Sequence, residues 1–265
     1  MRTLRTHVLR LALLILLSGI GLQLCFAARI ALMRVVAPES TTFQRSEIWR
    51  LAVEKRQVDW SQRWVDHDQI ADHLKRAVIA SEDAGFTDHS GVEWDAIEKA
   101  WARNQKAEAR AEQLNEARQK REQQLAQRGR SAPAAAASVP VQPRIVGGST
   151  ISQQLAKNLF LSGERTALRK AQELVITLML ETLLSKQRIL EIYLNNVEWG
   201  EGLFGAQAAA RHYFRQDART LGPLQAARLA VMLPAPKRFE KRPDSAYVIG
   251  RASTVAARMG AVVLP

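Results

Sequence analysis

The stretch "GGSTISQQLAKNLFL", Gly147–Leu161, combines a flexible glycine turn, hydroxyl residues suited to capping a helix, and an apolar stripe. Ile151, Leu155 and Leu159 recur at helical spacing and predict one buried face. Ser149, Thr150 and Ser152 are the N-cap candidates. Backbone N–H groups at such a helix start can bind an anion, although an ordinary N-cap explains the motif equally well.

Cationic residues follow this helix start closely. Lys157 lies within the predicted helix, Arg165 lies beyond its end, and Arg169 and Lys170 open the next helix. Guanidinium and ammonium groups match phosphate oxygens in charge and geometry. Four cations near one helix N-terminus therefore favour a diphosphate site.

The segment "RKAQE" adds a carboxylate, Glu173, one helical turn after Arg169 and Lys170. The spacing alone leaves two interpretations open. One is a surface ion pair worth about 0.3–0.5 kcal/mol, and the other is a functional carboxylate. A helix over about 166–184 is predicted, and Glu173 lies on its face away from an apolar stripe. That stripe consists of Leu168, Ala171, Val175 and Leu178.

Upstream, "VIASEDAGFTDHSGVEW", Val78–Trp94, ends an apolar helical pattern on two acids, Glu82 and Asp83. A helix is predicted from Gln69 to about Gly85, which is a suitable C-cap residue. A carboxylate at the end of an apolar helix is partly desolvated. Desolvation raises its pKa and suits it to proton transfer.

A metal site is the alternative for this segment, because Asp83, Asp88 and His89 also carry ligand atoms. The five histidines of the chain are scattered, and no HxxxH or HExxH pattern or cysteine partner accompanies them. The sequence therefore argues against a dedicated zinc site. A loosely held divalent cation near a diphosphate stays open.

The N-terminus predicts a membrane anchor. Residues 1–10 contain three arginines and no acid, and Leu11–Ala28 carries no charge. This run is near the lower limit for a spanning helix, and the preceding arginines predict a cytoplasmic N-terminus and an exported remainder. A cleaved signal peptide is the alternative, but the region around Cys25 has no convincing small-x-small cleavage site. We expect an uncleaved anchor over 11–28, followed by a membrane-proximal segment, 29–68.

The remaining chain, 69–265, is predicted as one all-α domain. Between about 104 and 143 it carries a low-complexity insertion, first a solvated helix and then a flexible linker. Further helices are predicted near Glu93, after Ser185, from Pro223 to Pro234 and from Ser245 to Met259. The net charge of +12 suits an anionic partner such as nucleic acid, anionic lipid or a phosphorylated substrate. The predicted export opposes nucleic acid.

Five sequence blocks together resemble the family 51 glycosyltransferases of peptidoglycan synthesis, and within them the monofunctional biosynthetic transglycosylases. "EDAGFTDHSG" matches the pattern E-D-x-x-F-x-x-H-x-G, "GGSTISQQLAKNLFL" matches G-G-S-T-I-T-Q-Q-x-x-K-N, and "RKAQE" matches R-K-x-x-E. "ILEIYLNNVEWGEGLFG" and "RLAVMLPAP" match the fourth and fifth blocks. The blocks occur in order over most of 69–239. The departure is the stretch of about 104–143, which close relatives cross in fewer residues.

The resemblance implies a lysozyme-like, mainly helical fold with a cleft between two lobes, at the periplasmic face of the inner membrane. The implied reaction joins lipid II units by β-1,4 linkages with inversion and releases undecaprenyl diphosphate. Implied partners are lipid II, the growing glycan chain, the membrane and other proteins of cell-wall synthesis or division. No cofactor is obligatory, although a Mg or Mn ion near Glu173 is compatible. The chain contains no S-x-x-K or K-T-G motif, so it looks monofunctional, without a transpeptidase domain.

The same resemblance assigns roles to residues. Glu82 is implied as the base, and Glu173 as the second catalytic glutamate. The implied diphosphate-binding cations are Lys157, Arg165 and Lys170. The implied sugar or phosphate contacts are Ser149, Thr150, Gln153, Gln154 and Asn158. The residues implied to organise the first block are Asp83, Phe86, His89 and Gly91.

Two other functions are compatible with parts of the sequence. A lysozyme-like cleft with acids suits a glycan-cleaving enzyme, but hydrolases need no cation cluster for a diphosphate. A non-catalytic, membrane-tethered scaffold would pair the 103–130 segment with another helix, and the missing heptad pattern argues against it.

Overall fold

The computed structural model describes residues 2–127, 140–142, 148–161, 163–164 and 166–265. Most of these residues lie in helices, and the all-α prediction is confirmed. The helices are α1 Arg2–Leu32, α2 Thr42–Arg50, α3 Asp72–Glu82, α4 Trp94–Gln127, α5 Ile151–Phe160, α6 Ala167–Leu183, α7 Lys186–Asn196, α8 Ala206–Phe214, α9 Pro223–Met232, α10 Pro236–Phe239 and α11 Ala246–Arg258.

Hydroxyl side chains cap the starts of four of the helices that the sequence predicts. At the start of α5, the Thr150 side chain accepts a hydrogen bond from the backbone N–H of Gln153. The Gln153 side chain accepts one from the backbone N–H of Thr150, and this reciprocal pair is a capping box. The hydroxyls of Thr166, Ser185 and Ser245 each accept from a backbone N–H at the starts of α6, α7 and α11. These helices begin where the sequence predicts them, because a side-chain oxygen satisfies a backbone N–H that has no partner within the helix.

The core of the first compact unit, which covers 1–92 and 150–265, is built from packed helices. Helix α3 packs against α9 and α11, and α5 packs against α6 and α7. Trp199 and Tyr193 are among the largest fully buried side chains. Asp83, directly after α3, bonds the first residue of α5, so the end of one helix meets the start of the other.

A small sheet accompanies the helices. It consists of β1 Ser61–Gln62, β2 Glu198–Gly200 and β3 Leu203–Phe204, in the order β1-β3-β2. Strand β1 is parallel to β3, and β2 is antiparallel to it. The sequence did not predict this sheet, because strands of two or three residues are too short to show alternation. At Gly202, with φ of +70°, a Cβ would lie 2.0 Å from the carbonyl oxygen of Asp59, so only glycine fits.

Helix α6 buries the face opposite to the apolar stripe noted in its sequence. Leu168 is 82% exposed and Leu178 is 48% exposed, whereas Glu173, Ile176 and Leu180 are buried. The apolar stripe therefore faces away from the core. The buried face is partly polar, so apolar periodicity alone did not identify it.

Helix α1 is, by length and composition, long and apolar enough to cross a membrane over Leu4–Leu32. It packs against α6 through reciprocal hydrogen bonds between the side chains of Gln23 and Gln172, at 2.8 and 3.0 Å. Near the end of α1, the rings of Phe26 and Phe160 meet edge to face at 5.2 Å. The apolar helix α1 thus contacts the helix that carries Glu173.

A second compact unit, Glu93–Ser149, is described by itself. Its helix α4 extends to Gln127, and its surface beyond residue 103 is mostly exposed. Asn115 on α4 makes two hydrogen bonds to the backbone of Val141, at 2.8 and 3.1 Å. Residues 128–139 and 143 of the predicted insertion lie outside the described residues.

Candidate active site

Glu82 is the last residue of α3 and is half-buried. Its Oε2 atom accepts a hydrogen bond from Nε2 of Gln154 at 3.0 Å. Burial raises the pKa of Glu82, and the neighbouring Asp83 carboxylate raises it further, while hydrogen bonds from Gln154 and Ser81 oppose the rise. The net result is a carboxyl group whose pKa lies above its ordinary value, which suits it to proton transfer.

Asp83 and His89 organise the loop that follows α3. One carboxylate oxygen of Asp83 bonds Nε2 of His89 at 2.8 Å, and the other accepts from the backbone N–H of Ile151 at 2.9 Å. The remaining ring nitrogen of His89 accepts from the backbone N–H of Gly91 at 3.0 Å. Both groups thus have protein partners that tie the loop to the start of α5.

Phe86 and Gly91 complete the loop. Phe86 is fully buried, and Nζ of Lys186 lies 4.5 Å from its ring centroid. Gly91 has φ of +88°, and a Cβ there would lie 2.7 Å from Cγ2 of Thr177. Its carbonyl accepts from the hydroxyl of Thr150 at 2.7 Å. Only glycine allows the chain to approach α6 this closely.

The polar residues of α5 differ in their surroundings. Thr150 and Gln153 are buried and occupied with the capping box, and Gln154 is hydrogen-bonded at both ends of its amide. Asn158 is half-buried on the same helix. Ser149 is exposed and belongs to the separately described unit. The structure therefore gives three of these residues structural partners that a substrate role does not require.

Glu173 forms the centre of a cation cluster on α6. It is only 3% exposed, and its two oxygens bond Nη1 of Arg169, at 2.8 Å, and Nζ of Lys170. The interpretation of these residues as a surface ion pair is wrong, because the carboxylate lies on the buried face of the helix. The pairing with Arg169 is mostly shielded from water, which strengthens it, whereas the side chain of Lys170 is 55% exposed.

Lys157 on α5 completes the described part of this cluster. Surrounding protein lowers its pKa, the positive charges of Arg169 and Lys170 lower it further, and Glu173 opposes them. Among the described residues, Nε of Arg169 is buried without a hydrogen-bond partner. A buried donor without an acceptor suits an anionic ligand. Arg165, the remaining predicted cation, lies outside the described residues.

The surroundings of Glu173 do not fit a divalent metal. A hard dication takes several oxygen ligands, whereas this carboxylate already neutralises a guanidinium and an ammonium group. The observed contacts of Glu173 are those of a carboxylate that holds two cations in place.

Comparison of the sequence with known proteins shows the family to which the chain belongs. The family model described as "Transglycosylase" matches residues 51–113 and 128–260. This chain belongs to the transglycosylase family. The match includes every site residue named above.

Curated relatives cover most of this transglycosylase. A protein of Cupriavidus pinatubonensis is 50% identical over 93% of the chain and 86% of its own length. Relatives from Burkholderia thailandensis and Paraburkholderia phytofirmans are 48% and 44% identical, over 94% and 96% of the chain and 84% and 92% of their own lengths. All three are named biosynthetic peptidoglycan transglycosylase.

Sequence reasoning missed two groups of residues around this transglycosylase site. Tyr193 on α7 donates from its hydroxyl to Oε1 of Gln154 at 2.9 Å. Glu181 accepts from Ser152 and from Lys186, which also donates to the carbonyl of His89. Tyr193 lies within the fourth matched block, and that was the only signal available for it.

Proposed function

We propose that this transglycosylase polymerises lipid II into β-1,4-linked glycan strands and releases undecaprenyl diphosphate. The chain is a peptidoglycan glycosyltransferase, as its family and the names of its relatives support. The observation that supports the proposed reaction is that the site contains two different groups. One is a desolvated carboxyl, Glu82, and the other is a set of cations held by the buried carboxylate of Glu173.

The chemistry assigns a role to each group. The 4-hydroxyl of the acceptor sugar attacks the anomeric carbon of the donor, and Glu82 takes the hydroxyl proton as the new C–O bond forms. The bond from the anomeric carbon to the diphosphate breaks, and its electron pair leaves with the diphosphate. Lys157 and Lys170, together with Arg165, stabilise that negative charge. A single displacement inverts the α-linked donor to a β-linked product.

Glu173 supports this step indirectly. Its two oxygens hold Arg169 and Lys170, so the cations are in place before charge develops on the leaving group. Glycan cleavage explains the cluster less well, because a hydrolase protonates a neutral leaving oxygen and has no diphosphate to bind. No step in this proposal requires a metal or another cofactor.

The proposal places the chain in the inner membrane, with the N-terminus in the cytoplasm and the enzyme domain in the periplasm. Support comes from the apolar helix α1 and from the arginines at positions 2, 5 and 10. The exposed leucines of α6, which packs against α1, suit contact with lipid. Other proteins of cell-wall synthesis or division stay predicted partners.

Replacing Glu82 with Gln tests the base directly. We expect Glu82→Gln to lower lipid II polymerisation by about 100-fold or more, because the amide cannot accept the hydroxyl proton. Donor binding should be retained, since the cation cluster is unchanged. The measurement is glycan formation from lipid II by the full-length protein in detergent, with binding of a lipid diphosphate followed separately.

Asp88→Asn is the matched control, because Asp88 is an exposed carboxylate in the same loop. It should polymerise at close to the wild-type rate. Near-wild-type turnover by Glu82→Gln would contradict the base assignment. Release of muropeptides from purified sacculi, without polymer from lipid II, would support the cleavage alternative.

A further inference from the structure

We infer that Gln154 and Tyr193 form a relay that positions the carboxylate of Glu82 for proton transfer, so that both are positioning residues. The inference rests on the proposed function, in which Glu82 is the base. The inferred role of Gln154 differs from the sugar or phosphate contact that the family resemblance implies. Tyr193 has no role in the sequence-based assignments.

The relay begins in the core. Tyr193 lies on α7, is fully buried, and brings its hydroxyl to 2.9 Å from Oε1 of Gln154. An amide oxygen can only accept, so the phenol must donate. Burial raises the pKa of Tyr193 well above its ordinary value, and the carboxylates of Glu82 and Asp83 raise it further. The phenol therefore keeps its proton throughout the working pH range and donates permanently.

This bond fixes which end of the Gln154 amide faces the base. With Oε1 held by Tyr193, the amide nitrogen is turned towards Glu82 and donates to its Oε2 at 3.0 Å. Without the phenol, the amide can rotate and present its oxygen to the carboxylate. Two acceptors would then face each other, and the orientation of Glu82 would be lost.

The relay also lowers the pKa of Glu82, against burial and the Asp83 charge, which raise it. The groups facing the Glu82 carboxyl are Gln154 from α5, Tyr193 from α7, and Asp83 and Ser81 from its own segment. Burial and the charge of Asp83 raise the pKa of Glu82, and the hydrogen bond from Gln154 is the largest influence that lowers it. Losing the relay should therefore leave Glu82 protonated at a higher pH.

The primary test is Tyr193→Phe in the full-length protein, which removes one hydroxyl and preserves the ring. The measurement is kcat and KM for lipid II polymerisation across a pH series in detergent. We expect the acid limb of kcat/KM to move to higher pH, with kcat/KM about tenfold lower on that limb. KM at high pH should not change, because neither residue binds substrate.

Tyr213→Phe is the matched control. Like Tyr193, Tyr213 donates from its hydroxyl to a carbonyl oxygen, here that of Trp199 at 2.8 Å. This bond is partly buried and does not involve Glu82 or Gln154. Tyr213→Phe should lower the melting temperature and leave the acid limb in place. A shift of the limb in Tyr213→Phe equal to that in Tyr193→Phe would mean that general loosening is responsible, and would overturn the inference.

Gln154→Asn tests the same relay without altering the core, because it retracts the amide by one methylene. It should move the limb in the same direction, and adding Tyr193→Phe to it should cause no further shift. Independent, additive shifts would overturn the inference, as would an unmoved limb in both single variants. If the wild-type protein does not polymerise lipid II, the proposed function fails as well; if it does and the limb stays fixed, only the relay fails.

Discussion

Glu173 illustrates how burial changes the meaning of a residue pattern. In sequence, a glutamate one turn after two cations is common on helix surfaces and contributes little. In the fold, its carboxylate is buried and holds Arg169 and Lys170 on one side of α6. The same spacing therefore serves to fix the positions of two cations beside Lys157.

Glu173→Gln tests whether holding the two cations in place matters for the reaction. The amide cannot neutralise both cations, so we expect polymerisation to fall by about 100-fold, comparable to losing one group that stabilises charge in a transition state. The melting temperature should also fall, because two cations lose their buried partner. Glu164→Gln, at an exposed glutamate before α6, is the control. Unchanged turnover in Glu173→Gln would show that the cluster does not act on the leaving group.

A second buried glutamate, Glu198, predicts a pH-dependent stability. It shares Lys237 with Glu47, and Nζ of Lys237 lies 3.4 Å from Oε1 of Glu198. Burial raises the pKa of Glu198 to about 7, the charge of Glu47 adds to the rise, and Lys237 opposes it. The folded protein thus binds this proton more tightly than the unfolded chain, so stability falls as pH rises from about 4.5 to above 7.

Glu198→Gln should remove this dependence. We expect the variant to gain about 2 kcal/mol in free energy of unfolding relative to wild type at pH 8, and little at pH 5. The measurement is thermal unfolding at both pH values, with the exposed Glu54→Gln as control. An equal change at both pH values would show that Glu198 does not titrate in this window.

Helix α6 shows why its orientation could not be predicted from sequence. An apolar stripe indicates a buried face only where water is the alternative environment. Here the stripe is exposed on a helix that packs against the apolar helix α1, and the buried face contains Glu173 and Thr177. Helix starts were predictable, because Thr150, Ser185 and Ser245 satisfy local backbone donors. Partners from distant elements, such as Tyr193 and Gln154, were not.

The exposed stripe of α6 should contact lipid. We expect the double change Leu168→Gln and Leu178→Gln to lower polymerisation several-fold in liposomes, because polar groups are costly in the apolar part of a bilayer. Activity in detergent should be nearly unchanged. Ile249→Gln is the matched control, since Ile249 is 49% exposed and lies on α11. Equal losses in liposomes and in detergent would indicate a folding defect in place of a lipid contact.

At the scale of the whole molecule, the stretch that the family model omits lies inside the second compact unit. The family model leaves out residues 114–127, which lie within α4 of the separately described unit. The surface of α4 beyond residue 103 is mostly exposed. None of the bonds that hold Glu82 or Glu173 in the described structure uses a residue of this segment.

Deleting residues 104–143 should therefore leave lipid II polymerisation within about twofold of wild type, because the helix starts and bonds of the site lie elsewhere. The measurement is polymer formation by the full-length protein with and without the segment. Thermal unfolding of both proteins establishes that the deletant folds. A folded but inactive deletant would show that the segment takes part in function.

The hydrogen bond from the backbone of Ile151 to Asp83 closes a loop of the chain, and everything between the two residues is part of that loop. The entropy lost in closing a flexible loop grows only with the logarithm of its length, by about 0.6 kcal/mol for each doubling. Added residues therefore cost little once the two ends are joined. By this estimate, the length of the chain between Asp83 and Ile151 has little effect on the free energy of bringing α3 and α5 together.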